Sequence, residues 1–428
     1  MKNTSPRTVA VIGAGAAGLA ATRELTERGY AVTCFDRDDR VGGHWNHDYE
    51  ALHLITPKST SMFRGFPQPA DYPAYPSRDQ IIAYMESFAR RFDLLRHIRL
   101  GTAVADVRPV GTGDGLNGWE VELGTGETLP FDAVVVANGH LHHPYVPELP
   151  GEFAGKVLHS VDYRNTGDLD GERVLVIGSG NSGCDLAVDA AQARHEVSIS
   201  IRHGFVFMPK SILGRPRAEL PTQKLPPKLA ALVLRYLVRV SVGRPEQYAG
   251  LPKPPSRDLT KQRSIVNDLL PYWVQHGRVR VRPAVAEVRG TTVTFDDGTS
   301  DDFDTILLAT GFRYEASFLS ESVMRRENDM PRRWASGTLV DGLSNLFLVG
   351  LIAPMGAQWP VYDQQAALIG DLIELQRASP TAPIVREFQK GDEGFGDLEL
   401  QRPAWDAMHR STLGTVARVR RGLLGATA

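Results

Sequence analysis

The sequence predicts an α/β protein built from two Rossmann-like dinucleotide-binding domains, because one local plan occurs twice along the 428-residue chain. Each copy is a short β-branched strand, a glycine-rich turn and an alanine-rich helix, followed by a second strand. The first turn reads Gly13-Ala-Gly15-Ala-Ala-Gly18 and the second reads Gly178-Ser-Gly180-Asn-Ser-Gly183. Two apolar runs, 133–137 and 305–309, are predicted to be buried parallel strands that complete the two sheets.

The other segments predict a discontinuous first domain around an inserted second domain. Residues 1–160 form the first part of the first domain, and residues 161–312 form the second domain with an insertion at about 210–255. Residues 313–428 return to the first domain and add C-terminal helices. We expect helices over 78–92 and 361–376, a small β excursion over 119–129, and a frayed basic tail over 418–424, whose contact with a membrane or partner is the alternative.

Composition argues against several classes of protein. The formal net charge is -2 and the pI is about 6.6, so no electrostatic attraction to nucleic acid is implied. The chain contains two cysteines, Cys34 and Cys184, too few for a disulfide framework and too far apart in sequence for a C-x-x-C dithiol. Neither a disulfide reductase nor a metal site is predicted.

The apolar segments do not predict a membrane-spanning protein. No apolar leader precedes the first strand, so we expect a cytoplasmic location. Residues 226–242 alternate Leu and Val with Lys and Arg, and they are too short and too charged to cross a bilayer. We expect a helix packed on the protein body or on a second subunit, as in a homodimer, and an interfacial membrane helix is the alternative.

The glycine turns carry the first chemical prediction. The first glycine of each turn permits a tight bend, the second lets the backbone approach a pyrophosphate, and the third lets helix and strand pack closely. The N-terminus of the following helix offers free amides and a positive dipole end to phosphates. Two dinucleotide sites are therefore predicted.

The residue after the second strand of each unit separates the two sites. Asp36 follows the second strand of the first unit, and Arg202 follows the corresponding strand of the second. A carboxylate suits the ribose hydroxyls of FAD, whereas a guanidinium suits the 2′-phosphate of NADPH. The alternatives are a surface turn carboxylate for Asp36 and a solvated charge for Arg202. The second alternative would leave the choice between NADH and NADPH open.

A longer motif resembles a known family. The run Phe153-Ala-Gly155-Lys-Val-Leu-His159-Ser-Val-Asp-Tyr163 matches the F-x-G-x-x-x-H-x-x-x-Y fingerprint of the flavin-containing monooxygenases, a family of class B flavoprotein monooxygenases. The chain is also similar to that family at Gly42-Gly43-His44-Trp45, at Ala309-Thr310-Gly311-Phe312 and over 345–365. At Tyr163 the chain is similar to the monooxygenase branch of the family, since the related Baeyer–Villiger enzymes usually have Trp at this position. The resemblance implies FAD and NADPH as cofactors.

One departure from the family concerns the flavin edge. Many members have an Asn in an N-x-x-K stretch, whereas this chain has Ile55-Thr-Pro-Lys58. The plant auxin-forming flavin monooxygenases also lack that Asn, and the chain is locally similar to them. Thr56, Lys58 and Ser61 are then candidates to line the flavin edge, with a solvated loop charge as the alternative for Lys58. The resemblance implies that His159 organises the linkers between the two domains and does not transfer protons.

These arguments give a set of candidate site residues. Thr56, Lys58 and His159 are the catalytic candidates. The candidates for cofactor binding are Gly13, Gly15, Ala17, Gly18, Asp36, Arg37, Gly43, His44, Trp45, Ser61, Val104, Ala137, Asn138, Gly139, Gly178, Gly180, Asn181, Ser182, Gly183, Arg202, His203, Thr310, Gly311, Gly350 and Gln365.

The resemblance also implies a reaction. NADPH reduces FAD, reduced FAD combines with dioxygen, and the resulting C4a-peroxyflavin gives one oxygen atom to a small-molecule substrate and the other to water. N- or S-oxygenation of a soft nucleophile is the first interpretation. Baeyer–Villiger oxygenation of a carbonyl compound or oxidative decarboxylation of a 2-oxo acid is the nearby alternative. An NADPH-dependent flavin reductase or oxidase is the alternative from another class, and the fingerprint argues against it.

Overall fold

The computed structural model describes residues 7–111, 113–221, 225–258 and 264–425. Two parallel-rich sheets organise the fold, as the two glycine turns predict. The α-helices of the described residues are labelled in chain order, α1 to α8: Ala16–Glu27, Arg78–Arg91, Asn181–Gln192, Pro227–Val242, Leu269–Gln275, Trp359–Ala378, Val385–Gln389 and Arg402–Gly425.

The first sheet has seven strands, and the five from Leu346–Leu348 to Ile98–Arg99 are parallel, while the two strands at the other edge are antiparallel. The predicted strands at the first glycine turn and at 133–137 lie side by side in its centre. The order of the strands is Arg333–Trp334, Leu339–Val340, Leu346–Leu348, Ala133–Val136, Thr8–Ile12, Ala31–Phe35 and Ile98–Arg99. Because three of these strands come from the far end of the sequence, the sheet is discontinuous in the chain.

The second sheet has five parallel strands, and it contains the second glycine turn. Its order is Lys156–His159, Thr305–Leu308, Arg173–Ile177, Glu196–Ser200 and Val279–Arg282. The strand at Lys156–His159 already belongs to this sheet although it precedes residue 161. The division at 160 and 312 remains a prediction.

Each sheet is buried on both faces. Helices α1, α2 and α6 cover one face of the first sheet and a three-stranded antiparallel sheet covers the other. Helix α3 covers the second sheet on one face, and a four-stranded sheet packs on the other. The three-stranded sheet consists of Val104–Pro109, Trp119–Leu123 and Thr128–Phe131. The four-stranded sheet consists of Ser300–Asp302, Thr292–Phe295, Val285–Gly290 and Gly151–Phe153. Apolar runs are therefore continuous in the central strands.

Short two-stranded pairs connect the remaining loops. They pair Val206–Phe207 with Ser264–Ile265, Ser211–Ile212 with Arg215–Pro216, His143–Pro144 with Phe312–Arg313, Arg326–Glu327 with Met330–Pro331, and Ala353–Pro354 with Glu399–Leu400. The first pair flanks the predicted insertion at about 210–255, and the second pair lies within it together with α4.

The expectation of a frayed C-terminal tail is wrong. Residues 402–425 form α8, which packs against α6 and α7. Arg418 pairs with Glu387 at 3.6 Å and Arg420 pairs with Asp371 at 3.1 Å. The fully buried Trp405 anchors the start of the helix. Arg418 and Arg420 therefore have carboxylate partners on α7 and α6, which the local sequence of the tail does not reveal.

Candidate functional site

The first glycine turn joins its strand to α1 through close backbone contacts. Gly13 has a φ of +108°, and a Cβ there would lie 2.5 Å from the Ala137 carbonyl oxygen. A Cβ at Gly18 would lie 1.8 Å from the Gly13 carbonyl oxygen. Neither position accommodates a side chain, so both glycines are required by the turn itself.

The second glycine turn repeats this geometry. Gly178 has a φ of +117°, and a Cβ there would lie 2.3 Å from the Ala309 carbonyl oxygen. A Cβ at Gly183 would lie 2.1 Å from the Gly178 carbonyl oxygen. The middle glycine differs, because a Cβ at Gly180 would meet no described atom within 4 Å. The open space at Gly180 is what the close approach of a pyrophosphate to the backbone requires.

The ends of both helices fit a dinucleotide. Helices α1 and α3 begin after Gly15 and Gly180, neither has an acidic residue in its first turn, and no described side chain caps either start. Their first amides are thus available to phosphate oxygens. A Cβ at Gly43 would lie 3.0 Å from the Gly15 Cα. The backbone of the loop at Gly43 therefore packs directly against the first glycine turn, with no side chain between them.

The residues after the second strands have different surroundings. Asp36 is buried, and its two carboxylate oxygens accept hydrogen bonds from the Ala14 amide at 2.5 Å and the Asp38 amide at 2.9 Å. Burial raises the pKa of the Asp36 carboxyl, and the two amide hydrogen bonds oppose that rise. Arg37, Arg202 and His203 are exposed. The predicted ribose carboxylate, Asp36, is therefore held in place by backbone amides, whereas the charges predicted for the second site face solvent.

The loop at Gly43 contributes a short 3-10 helix, Gly43–Asn46. Trp45 is buried against the core under α1, while the His44 Nδ1 lies 2.6 Å from Asp48 Oδ2. This pairing orients the His44 imidazole next to the contact between Gly43 and Gly15.

Two further predicted residues hold a turn near the N-terminus of α1. Gly350 has a φ of +79°, and a Cβ there would lie 2.8 Å from the Ala17 Cβ. The buried Gln365 accepts from the Gly350 amide at 3.0 Å and donates to the Ser336 carbonyl at 2.9 Å. Gln365 thus uses both ends of its amide to hold the Gly350 turn against Ala17.

The segment after strand Ala133–Val136 leads toward the second sheet. Ala137 is buried and Gly139 has a φ of +73°. The Asn138 amide donates to the Glu315 carbonyl at 2.7 Å, and its oxygen accepts from Tyr314 at 3.4 Å. Asn138 therefore joins two segments of the chain between the sheets.

His159 has both ring nitrogens engaged by backbone groups. Its Nδ1 accepts from the Val161 amide at 3.2 Å, and its Nε2 donates to the Gly311 carbonyl at 3.1 Å. Burial lowers the pKa of His159, so a neutral ring with a defined tautomer is favoured. Beside it, Thr310 donates to the Tyr145 carbonyl. This arrangement supports a role for His159 in organising the linkers.

The three candidates at the flavin edge separate into two groups. The hydroxyls of Thr56 and Ser61 are 2.6 Å apart, and Ser61 is buried. The Lys58 ammonium donates to the carbonyls of Pro69 at 2.9 Å, Ala70 at 2.8 Å and Tyr72. An ammonium has three donors, so all of them are used to hold the proline-rich loop. This geometry favours a structural role for Lys58.

The remaining predicted residues have supporting positions. Asn181 accepts from the Val266 amide at 2.8 Å through its Oδ1, which ties the start of α3 to the insertion. Ser182 lies in the first turn of α3. Val104 lies on the three-stranded sheet and packs at the edge of the core beneath the first sheet.

The structure also brings together residues that the sequence does not single out. On α3, Asp185 accepts from Tyr49 at 3.2 Å and from Asn267 at 2.7 Å, and Asp189 accepts from Tyr163 at 2.6 Å. Tyr49 belongs to the loop after the Gly43 helix, so these contacts join the first unit, the fingerprint and the second unit. The spacing of Asp185 and Asp189 by four residues was the available signal.

A histidine was also missed. His140 directly follows Asn138-Gly139 at the end of a central strand, a position where parallel sheets place functional groups. Burial, together with the nearby His44 and His142, lowers the pKa of His140 to about 4. The imidazole is therefore neutral at pH 7.

Comparison with known proteins shows the family. Residues 6–396 match the profile of a family described as "Flavin-binding monooxygenase-like". Flavin-containing monooxygenase 3 of Rattus norvegicus is 32% identical over 402 residues, covering 86% of this chain and 74% of that protein. Flavin-containing monooxygenase 2 of Homo sapiens is 29% identical over 426 residues, covering 92% of this chain and 79% of that protein.

Solved structures share the fold. Cyclohexanone monooxygenase from Rhodococcus sp. Phi1, bound to NADP+, has a TM-score of 0.72 at 21% identity and covers 98% of this chain and 99% of that one. A flavin-containing monooxygenase from Stenotrophomonas maltophilia has a TM-score of 0.63 at 24% identity and covers 88% and 98% of the two chains.

Two features are absent from the part of the chain that the structure describes. No helix among the described residues is long and apolar enough to cross a membrane. Within the same residues, no group of three or more His, Cys, Asp or Glu side chains is arranged to hold a metal ion.

The twin glycine turns, the free helix ends and the near full-length family match agree: the chain belongs to the flavin-binding monooxygenase-like family and is an FAD-containing, NADPH-dependent monooxygenase.

Proposed function

We propose that this monooxygenase oxygenates the nitrogen or sulfur of a small, soft nucleophile. The observation that carries the proposal is the Lys58 ammonium, whose three donors are all bound to carbonyls of the 69–72 loop. The neighbouring polar groups, Thr56 and Ser61, are neutral hydroxyls. Among the described residues that we assign to the flavin edge, Thr56 and Ser61 therefore offer hydrogen-bonding hydroxyls and Lys58 is not a free cation.

The chemistry of the two substrate classes differs in what it asks of the protein. Oxygen transfer to an amine or thioether uses the lone pair of the substrate, so positive charge develops on the nitrogen or sulfur, and a neighbouring cation would oppose it. Addition to a carbonyl compound develops negative charge on the carbonyl oxygen, which enzymes stabilise with cationic or strongly donating groups. A loop without a free cation supports the first class.

The cofactors supply the redox chemistry, since bound FAD accepts a hydride from NADPH and activates dioxygen. We assign the N-terminus of α1 and Asp36 to the FAD pyrophosphate and ribose, and the N-terminus of α3 and Arg202 to NADPH. The hydroxyl pair of Thr56 and Ser61 orients groups at the flavin edge, and Ile55, packed near Met208 and Val266, excludes water there.

A substrate panel tests the proposal. The FAD-loaded protein is mixed with NADPH, isotopically labelled dioxygen and one of four compounds: a tertiary amine, a thioether, a cyclic ketone or a 2-oxo acid. We expect one labelled oxygen atom in an N-oxide or sulfoxide for each NADPH consumed. A lactone from the ketone, or decarboxylation of the 2-oxo acid at a higher kcat/KM, would instead select the carbonyl alternatives.

A matched pair of variants tests the hydroxyl assignment. Thr56→Val removes the hydroxyl that pairs with Ser61 while keeping the shape of the side chain. We expect about a tenfold larger fraction of NADPH to yield hydrogen peroxide, the order of effect of losing one active-site donor. Thr60→Val in the same loop, whose hydroxyl donates to the Pro57 carbonyl at 3.1 Å, is the control. Equal peroxide from both variants would reject the role of Thr56.

A cytoplasmic location is part of the same proposal. Cys34 and Cys184 are both buried free thiols, and burial raises the pKa of each. Such thiols suit a reducing compartment that also supplies NADPH.

A further inference from the structure

Helix α4 has one face that the protein does not cover. Val238 is buried and packs with Met208 and Val266, so the helix is attached through that side. On the opposite side, four large apolar side chains have exposures between 44% and 67%: Leu229, Leu232, Tyr236 and Val240. Their spacings of three, four and four residues place them on one stripe of the helix.

The same region extends the exposed apolar surface. The hairpin Ser211–Ile212 with Arg215–Pro216 contacts α4, and Leu213 at its tip is 91% exposed. A cluster of exposed apolar side chains of this size on a monomer marks an interaction surface. We call the set Leu213, Leu229, Leu232, Tyr236 and Val240 the α4 surface.

Charge identifies the kind of partner. Residues 206–245 contain eight Lys and Arg and one Asp or Glu, whereas the whole chain has a net charge of -2. Arg235 and Arg239 are exposed beside the apolar stripe, and neither has a carboxylate partner among the described residues. Two of these cations, Arg235 and Arg239, therefore lie beside the exposed apolar side chains.

A groove next to the stripe provides a place for an anionic group. It has a volume of about 410 Å³ and is lined by Arg235, Arg239, Arg244, Leu232 and Tyr236. Apolar side chains and guanidinium groups in one groove match a ligand with an acyl part and a phosphate part.

We propose that the α4 surface binds the surface of an anionic phospholipid bilayer. Leu213, Leu229, Leu232, Tyr236 and Val240 enter the acyl boundary, and the arginines beside them contact phosphate groups. The helix lies in the plane of the interface and does not cross it. A surface-bound enzyme would take apolar substrates from the bilayer.

A second copy of this chain fits the surface less well. A two-fold contact would bring Arg235 and Arg239 close to their own copies, and α4 contains no acidic residue to compensate them. Anionic headgroups satisfy the same cations without this repulsion.

Vesicle sedimentation tests the proposal with the full-length, FAD-loaded protein. We expect the protein to sediment with vesicles of equimolar phosphatidylglycerol and phosphatidylcholine, to stay in solution with phosphatidylcholine alone, and to be released by high salt. Leu232→Ser with Tyr236→Ser should weaken binding by about tenfold, since two exposed apolar contacts are lost. Arg235→Gln with Arg239→Gln should remove the preference for phosphatidylglycerol.

Matched controls separate surface binding from general effects. Leu269→Ser with Tyr272→Ser changes two side chains that are 48% exposed on α5, and Arg280→Gln with Arg289→Gln removes two exposed charges elsewhere. Both controls should bind vesicles as wild type, and every variant should keep its FAD.

Any of three results would overturn the proposal. The first is a wild-type protein that does not sediment with either kind of vesicle, and the second is control variants that weaken binding as much as the α4 variants do. The third is a dimer, seen by light scattering, that dissociates when Leu232→Ser is combined with Tyr236→Ser. The last result would assign the surface to a second copy. None depends on which substrate the enzyme oxygenates, so the substrate proposal is tested separately.

Discussion

The first glycine turn is followed by a buried carboxylate and the second by an exposed guanidinium, although the two turns have nearly the same backbone. Gly13 and Gly178 have φ values of +108° and +117°, and both turns place the third glycine against the carbonyl of the first. Asp36 is held by two amides, whereas Arg202 faces solvent. The two turns thus share one backbone geometry, and we propose that the side chain at the end of the next strand decides which cofactor each unit binds.

The difference in burial suggests different uses. A site whose carboxylate is already fixed loses little conformational entropy on binding, as suits a cofactor that stays bound. A solvent-facing arginine contributes charge and leaves a cofactor free to exchange. The two sites are therefore expected to differ in how much each depends on rigid geometry.

The largest expected effect comes from adding one methyl group to the third glycine of each turn. Gly18→Ala and Gly183→Ala each place a Cβ about 2 Å from a carbonyl oxygen, so the backbone must move. Gly18→Ala should purify without FAD. Gly183→Ala should keep FAD but lose NADPH-dependent flavin bleaching by about a hundredfold, the equivalent of about 3 kcal/mol. Flavin content and stopped-flow absorbance measure both.

Gly180→Ala is the control for this pair. Because a Cβ there meets no described atom within 4 Å, the thermal midpoint should equal that of wild type while the KM for NADPH rises. If Gly183→Ala reduced its flavin with NADPH as fast as wild type does, the prediction that both turns need their third glycine would be wrong.

A smaller effect is expected from removing the charge of the second site. Arg202→Gln should raise the KM for NADPH by roughly thirtyfold, about 2 kcal/mol, and leave the KM for NADH unchanged, because only NADPH has the 2′-phosphate. Steady-state kinetics with both cofactors measure the ratio. Arg280→Gln, an exposed arginine of the same sheet, is the control. An equal loss with both cofactors would show that Arg202 does not discriminate between them.

The smallest expected effect concerns pH. Burial raises the pKa of Asp363 on α6 to about 6, and its Oδ2 accepts from the Arg64 amide at 2.6 Å. A pKa raised above the ordinary 3.8 stabilises the fold below about pH 4, and this contribution is lost as the pH rises through 6. Asp363→Asn keeps the acceptor without the charge, so its thermal midpoint relative to wild type should rise between pH 5 and about 7.5.

This effect would place a pH-sensitive carboxyl in the first unit. Asp185 is the corresponding half-buried carboxyl of the second unit, where Tyr49 and Asn267 donate to it. Asp79→Asn, which changes a carboxyl that is 76% exposed, is the control. A midpoint difference that does not vary with pH would mean that Asp363 is ionised throughout this range.

Local patterns predicted much of the fold. The glycine turns, the central strands and helices α1, α2, α3, α4 and α6 lie within a few residues of their expected positions, since backbone sterics and hydrophobic periodicity act over short distances. The three-stranded sheet was foreseen only in part. It begins at Val104, well before the predicted 119–129 excursion, because its first strand, Val104–Pro109, has a single buried residue, Val107, and little apolar signal.

The sequence by itself determined the two dinucleotide turns, the charge that follows each and the family fingerprint, because each depends on residues close together in the chain. Tertiary structure alone decided that Lys58 is bound by three carbonyls, that α8 docks by ion pairs, and that Asp185 meets Tyr49. Such partners lie up to 136 residues apart, and burial, which shifts the pKa of His140, has no local signature. Only the packed chain brings these groups into contact.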